Sequence, residues 1–186
     1  MCKKISFPFV MKSSALITSA VTALLTALYC IYPYGWILTC AISLGTTAYH
    51  LTMRLLVGYL VLRLTGYAFD YRSRWFSPQK WETGFYRFLR VKKWKHGVPT
   101  YDPSSFSLTA HPLKQVICNM CGAEIVHEII IIFSFIPICF SLVFGELPVF
   151  LLTSFLAAAY DSIFVIVQRY NRPRLIRILE KQEVHR

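Results

Sequence analysis

Glu124, His127 and Glu128 interrupt an otherwise apolar stretch from Val116 to Phe144, and His50, Arg54 and Asp161 interrupt two others. On a helix, residues three and four apart are neighbours, so Glu124, His127 and Glu128 share one face. A carboxylate beside an imidazole favours the ring's protonated form and fixes its orientation, which is what a general base needs. The spacing therefore makes His127 a candidate base, with Glu124 or Glu128 as the carboxylate beside it. The same residues also allow an internal ion pair with Arg54 that only fastens helices together. Cys118 and Cys121 precede them as a CxxC pair. These residues step by three along one helix, which cannot by itself wrap a tetrahedral ion, so no metal or other cofactor is expected.

These side chains need elements to carry them. No Lys, Arg, Asp or Glu falls between Ser13 and Met53, a run about twice the ~20 apolar residues that one membrane-crossing helix requires. Pro33-Tyr34-Gly35 splits it into two expected spans, 14–32 and 36–62. Gly145-Glu146 with Pro148 separates a second pair, 116–142 and 147–168. Helices of a soluble bundle are seldom apolar on every side. The expected fold is an all-α integral membrane protein, a single membrane domain over 1–186, with four transmembrane helices as two hairpins and cytoplasmic interfacial helices. Lys3, Lys4 and Lys12 precede the first apolar run as in a signal peptide, but no small-residue cleavage site ends it, so an uncleaved span is expected.

Charge sets the orientation. Of 20 Lys and Arg, three precede the first span, nine lie between Arg72 and Lys114, and six between Arg169 and Arg186, while the two short turns carry none. Positive residues mark the cytoplasmic side, so both termini and the central segment, 66–114, are expected there, in a multi-pass protein of the cell membrane. A rise of about 1.5 Å per residue puts all six intramembrane ionisable residues in the cytoplasmic half of the bilayer, a one-sided distribution. The net charge of +11 is read as attraction to anionic lipids rather than to nucleic acid. In the central segment, Ser77 and Pro78 suit a helix start. Trp81, Phe85, Phe88 and Leu89 then recur at helical spacing among Lys and Arg up to about Lys95, predicting one helix lying on the inner membrane surface. Asn171-Arg172-Pro173 is expected to break the fourth span, leaving a short interfacial helix over 172–182.

Three blocks resemble the glycosyl-4,4'-diaponeurosporenoate acyltransferase family. Phe85-Tyr86 with Val91-Lys92-Lys93-Trp94-Lys95-His96 is similar to an aromatic-basic RKWKH stretch. Ala123-Glu124-Ile125-Val126-His127 is similar to an AELxH block, and Val167 to Leu175 contains QRYNRPRL. Asn119 to Gly122, and Glu128 after the His, depart from the family pattern. The resemblance covers about Phe85 to Leu179 and implies transfer of a fatty acyl group from an acyl-CoA or acyl-carrier thioester to a hydroxyl of a membrane glycolipid such as a carotenoid glucoside. On that reading His127, Glu124 and Asn171 are catalytic, with Asn171 or Arg169 steadying the oxyanion. Lys92, Lys93, Lys95, Arg169, Arg172 and Arg174 meet donor phosphates. Trp94, Gln168, Tyr170, Arg54, Asp161 and Glu128 complete the substrate contacts. Competing functions are a small proton-coupled transporter, disfavoured because its site would be reachable from both sides, and a non-catalytic membrane partner of a lipid enzyme.

Overall fold

Thr, Ser and His dilute the apolar run of the second helix, yet the chain stays helical there because its hydroxyls return to their own backbone. Thr39, Ser43, Thr46 and Thr47 each donate to the carbonyl four residues back, so these hydroxyls are satisfied within the helix. The computed structural model describes residues 7–66 and 68–184; Lys3, Lys4 and Arg186, used in the charge argument, lie outside these. Helix α1 covers Phe7–Ile31 and α2 covers Gly35–Thr65. The two pack along each other through small residues. Ala15, Ala41 and Ala48 are buried, and a Cβ at Gly45 would stand 3.2 Å from Thr22 Cγ2. Leu16, Ile17 and Leu24 on the far side of α1 are 73%, 60% and 59% exposed, an apolar surface suited to lipid.

After α2 the chain folds into short pieces: α3 (Glu82–Phe88), α4 (Val91–Trp94) and 3₁₀ turns at Arg74–Phe76, Lys95–Gly97 and Pro103–Phe106. The single interfacial helix expected from Pro78 to Lys95 is therefore not formed. Arg90 adopts φ 52, a left-handed conformation that ends α3 and re-aims α4. Ser77 does not cap a helix, and its hydroxyl instead bonds the Ser73 carbonyl at 3.2 Å.

Helix α5 (Leu113–Phe133), a 3₁₀ turn at Ile136–Phe140, α6 (Ser141–Phe144) and α7 (Leu147–Val184) complete the chain. The expected span 116–142 is thus interrupted where Ser134 turns its hydroxyl back to the Ile130 carbonyl and Pro137 enters. Gly145 (φ 72) and Glu146 (φ 54) make the sharp turn into α7. No strand occurs among the described residues. Among the described residues, three stretches are long and apolar enough to cross a membrane: Phe7–Ile31, Leu113–Phe144 and Leu147–Val184. Helix α2 is 31 residues long but is not among them, its hydropathy lowered by its Thr, His and Arg residues.

The expected break at Pro173 does not occur, and α7 runs through it for 38 residues. A proline inside a helix costs about 3 kcal/mol, so something must offset it. Leu175, Ile176 and Leu179, beyond the proline, pack on a core of Tyr71, Phe76, Ile117 and Cys121, while Arg169 and Arg172, before it, are held by carboxylates. Helix α5 packs on α7 and on α2, the latter through Met53, Val57, Val126 and Ile130. Gly122 is required where α5 meets the end of α2. A Cβ there would stand 2.8 Å from Phe69 Cε2 and 3.3 Å from Leu62 Cδ2. Gly122→Ala is expected to destabilise by about 1–3 kcal/mol, seen as a lower unfolding temperature in detergent.

Candidate functional site

Buried charges in this chain form two separate centres along α5 and α7. The first joins the central segment to both helices. Glu124 is fully buried on α5, and its two oxygens are taken by different guanidiniums: Oε1 by Arg169 Nη1 at 2.7 Å, Oε2 by Arg172 Nη1. Arg169 also reaches Glu82 Oε1 from Nε at 3.0 Å and from Nη2 at 2.6 Å. It further donates to the carbonyls of Trp75 at 3.2 Å and Ser77 at 3.3 Å. A guanidinium has five N–H groups, and all of those on Arg169 are engaged. Arg172 is 1% exposed, donates to the Phe76 carbonyl at 2.8 Å and lies over the Phe76 ring. Tyr86 donates to the other Glu82 oxygen at 2.9 Å. Burial, then the bond to Glu82, holds the Tyr86 hydroxyl above the ordinary phenol range, so it stays a donor.

The second centre lies farther along α5. His127 Nδ1 is 2.9 Å from Asp161 Oδ1, and the other Asp161 oxygen takes Arg54 Nη2 from α2. Asp161 is 1% exposed and Arg54 13% at the side chain, whereas His127 is 23% exposed. The ring lies flat on Phe164, with centroids 4.5 Å apart and planes at 6°. In the tautomer whose Nδ1–H donates to Asp161, Nε2 is left as the acceptor. Among the described residues Nε2 has no hydrogen-bond partner. Carboxylate, imidazole and a free basic nitrogen form the arrangement used for proton abstraction.

Several sequence expectations are corrected here. Glu124 does not hold His127; Asp161 does. The two α5 neighbours meet different parts of α7: Glu124 meets Arg169 and Arg172, while His127 meets Asp161, about 12–16 Å back along α7. Arg169 and Arg172, expected to meet donor phosphates, are instead paired with Glu82 and Glu124. Arg169 has no free N–H for an oxyanion. Nor does Asn171 reach the His127 centre. It lies about 15 Å along α7 from Asp161, and its Oδ1 accepts from Lys95 at 2.6 Å. Glu128 turns away from His127 and accepts from Trp75 Nε1 at 2.9 Å. Trp94 donates to the Leu89 carbonyl at 2.9 Å. Cys118 and Cys121 pack in the core beside Phe69 and Tyr71.

Two further cations gather around Tyr170. Lys95 and Arg174 lie over its ring at 5.0 and 4.6 Å, and Arg174 donates to its hydroxyl at 2.9 Å. Burial, then Arg174 and Lys92, holds the Lys95 ammonium below its ordinary value. Gln168 is half-buried on α7. An open cleft of about 350 Å³ lies nearby, lined by Arg74, Trp75, Gln79, Glu128 and Arg169. Sequence reasoning missed Glu82, Trp75 and this cleft. The available signal was that Glu82 is the one carboxylate between Asp70 and Asp102, set among aromatic and basic residues.

Comparison with known proteins matches residues 72–181 to the glycosyl-4,4'-diaponeurosporenoate acyltransferase family. A protein of that name from Staphylococcus haemolyticus (strain JCSC1435) is 27% identical over 141 residues, covering 69% of this chain and 80% of that protein. No solved structure matches the chain. The matched region holds every residue of both centres except Arg54.

Proposed function

The chain belongs to the glycosyl-4,4'-diaponeurosporenoate acyltransferase family and is an acyltransferase, and from that premise we propose that it moves a fatty acyl group from a thioester donor to a sugar hydroxyl of a membrane glycolipid, with His127 as general base. The observation that carries this is the pairing of the partly exposed His127 ring with the buried Asp161 carboxylate, with one ring nitrogen left free. Nε2 takes the proton of the acceptor hydroxyl while Asp161 holds Nδ1–H, steadies the imidazolium that forms and keeps the ring from flipping. The alkoxide attacks the acyl carbonyl, an O–C bond forms, and the C–S bond breaks as the tetrahedral adduct collapses. The proton on His127 then passes to the departing thiolate. Arg54 supplies the positive charge at this centre, opposing the negative charge that builds up.

The acceptor is a glycolipid of the kind in the relative's name, a glycosylated diaponeurosporenoate. The donor is an acyl-CoA or acyl-carrier thioester whose phosphates meet Lys92, Lys95 and Arg174 near Tyr170, an extended arm then reaching toward His127. The buried clamp of Glu82, Arg169, Glu124 and Arg172 fixes the central segment over the helices, so that phosphate site and base keep one spacing. Helices α1, α2, α5 and α7 cross the cell membrane as two hairpins, with both ends and the central segment in the cytoplasm, where thioesters are made. The long exposed apolar faces of α1 and α7 support this arrangement. Mass spectrometry of lipids from cells with and without the gene tests the function. The expected result is loss of one acylated glycolipid and build-up of its unacylated precursor. An unchanged lipid profile contradicts it.

A further inference from the structure

Of five buried polar atoms left without partners among the described residues, one, Arg172 Nε, belongs to the Glu124 centre, and four lie on α2 and α7 toward the His127 centre: both ring nitrogens of His50, Nε of Arg54 and the hydroxyl of Ser154. His50 is 8% exposed and Ser154 0%. A buried donor or acceptor without a partner costs about 1–3 kcal/mol, so a cluster of them in one place needs a reason. Ser154 also departs from the chain's own habit. Thr18, Thr22, Ser43, Thr46 and Ser162 each donate to a carbonyl of their own helix, and so does Thr153, its neighbour. Ser154 does not.

The helix registers bring these groups to one level. Tyr49 donates to the Phe133 carbonyl at 2.9 Å, so His50, one residue on, stands at the end of α5. His127 faces Asp161 across antiparallel helices; counting equally along both sets Ser154 opposite Ser134. At this level α5 stops and a 3₁₀ turn begins. Irregular backbone at membrane depth is tolerated where protein covers it or where it lines a site. The level is about 10 Å along the helices from the His127 centre. Arg54 bridges that gap, one turn from His50 on α2 and bonded to Asp161, and the charges acting on the His50 ring are those of Arg54 and Asp161.

We propose that His50, Ser154 and Arg54 Nε form a subsite for the sugar hydroxyls of the acceptor, beside the hydroxyl that reacts at His127, an inference that rests on the acyltransferase reading above. A neutral imidazole offers one donor and one acceptor, a serine hydroxyl both, and the guanidinium Nε one donor. Sugar hydroxyls, which donate and accept, satisfy that set. An anion does not, since the one permanent cation is already paired with Asp161. An apolar tail satisfies none of it.

The test measures binding of radiolabelled dodecyl β-glucoside, with dodecanol as the comparison, to the purified full chain in lipid nanodiscs. Ser154→Ala changes little volume, and His50→Gln keeps a donor and an acceptor where His50→Leu removes both. The expected result is a Kd for the glucoside about tenfold weaker in Ser154→Ala and in His50→Leu, a smaller loss in His50→Gln, and less than a twofold change for dodecanol. The unfolding temperature of Ser154→Ala should equal or exceed the wild-type value, because an unpartnered buried hydroxyl has been removed. Glucoside and dodecanol binding that weaken equally, unchanged glucoside binding, or a wild-type chain with no preference for the glucoside would overturn the subsite. Binding is read without turnover, so absence of acyl transfer would overturn the acyltransferase reading while leaving this result interpretable.

Discussion

His127→Ala is expected to lower acyl transfer by roughly 10²–10⁴-fold, the usual contribution of a positioned general base, while the protein still inserts and folds. The fold should survive because the imidazole is the exposed member of its centre, at 23%, and Asp161 keeps its bond to Arg54 when the ring is gone. Losing the stacking on Phe164 removes some packing, but no buried charge is left unpaired. The measurement is the initial rate of acylated glycolipid formation by purified protein in nanodiscs, with the unfolding temperature taken on the same sample. His127→Gln should be as poor as Ala, since an amide can fill the space and bond Asp161 but cannot take a proton at neutral pH. Wild-type rates in either variant would remove His127 from the mechanism.

Glu124→Ala is expected to act on stability instead. Its two oxygens engage Arg169 and Arg172, and removing them leaves Arg172, 1% exposed, without its carboxylate. Breaking a buried pair by deleting one partner typically costs about 3–5 kcal/mol. That is comparable with the whole stability of many domains, so little folded protein should be recovered. The double variant Glu124→Met with Arg172→Met removes both charges and should recover much of the loss, because replacing a buried ion pair with apolar residues is often neutral or stabilising. Thermal unfolding in detergent, followed by intrinsic tryptophan fluorescence, separates these outcomes. A folded Glu124→Ala protein that has lost only activity would move Glu124 back into the catalytic centre.

Both predictions depend on a distinction that was only half legible in the sequence. Spacing along one helix was enough to set Glu124 and His127 on the same face of α5, and the intramembrane positions of Arg54 and Asp161 marked them as paired to something. What spacing on one helix cannot reveal is which residues of the neighbouring helix stand opposite each position. The register of α7 gives each α5 residue a different partner, Glu124 its two arginines and His127 the Asp161 carboxylate. Glu82 was invisible for the same reason, its partner lying 87 positions away. The apolar runs were legible as helices, since length and lack of charge suffice. Proline rules failed at Pro173, where packing of Leu175 and Leu179 outweighs the lost backbone bond. They also went unused at Pro137, where α5 does give way. The supposed interfacial helix was divided by backbone strain at Arg90, which hydrophobic periodicity does not register.

The most direct test of the account is the saturated rate of acyl transfer by Asp161→Asn, measured beside Arg54→Gln/Asp161→Asn so that no buried guanidinium is left unpaired. An orienting carboxylate is worth up to about 10⁴-fold in rate where it fixes the tautomer of a catalytic imidazole. The account predicts a loss of roughly 10²–10⁴-fold in kcat for both variants, with KM nearly unchanged and the double variant at least as stable as the single. A folded Asp161→Asn protein with wild-type kcat would contradict it. Full recovery of rate in the double variant would contradict it equally, since Asp161 would then serve only to balance Arg54.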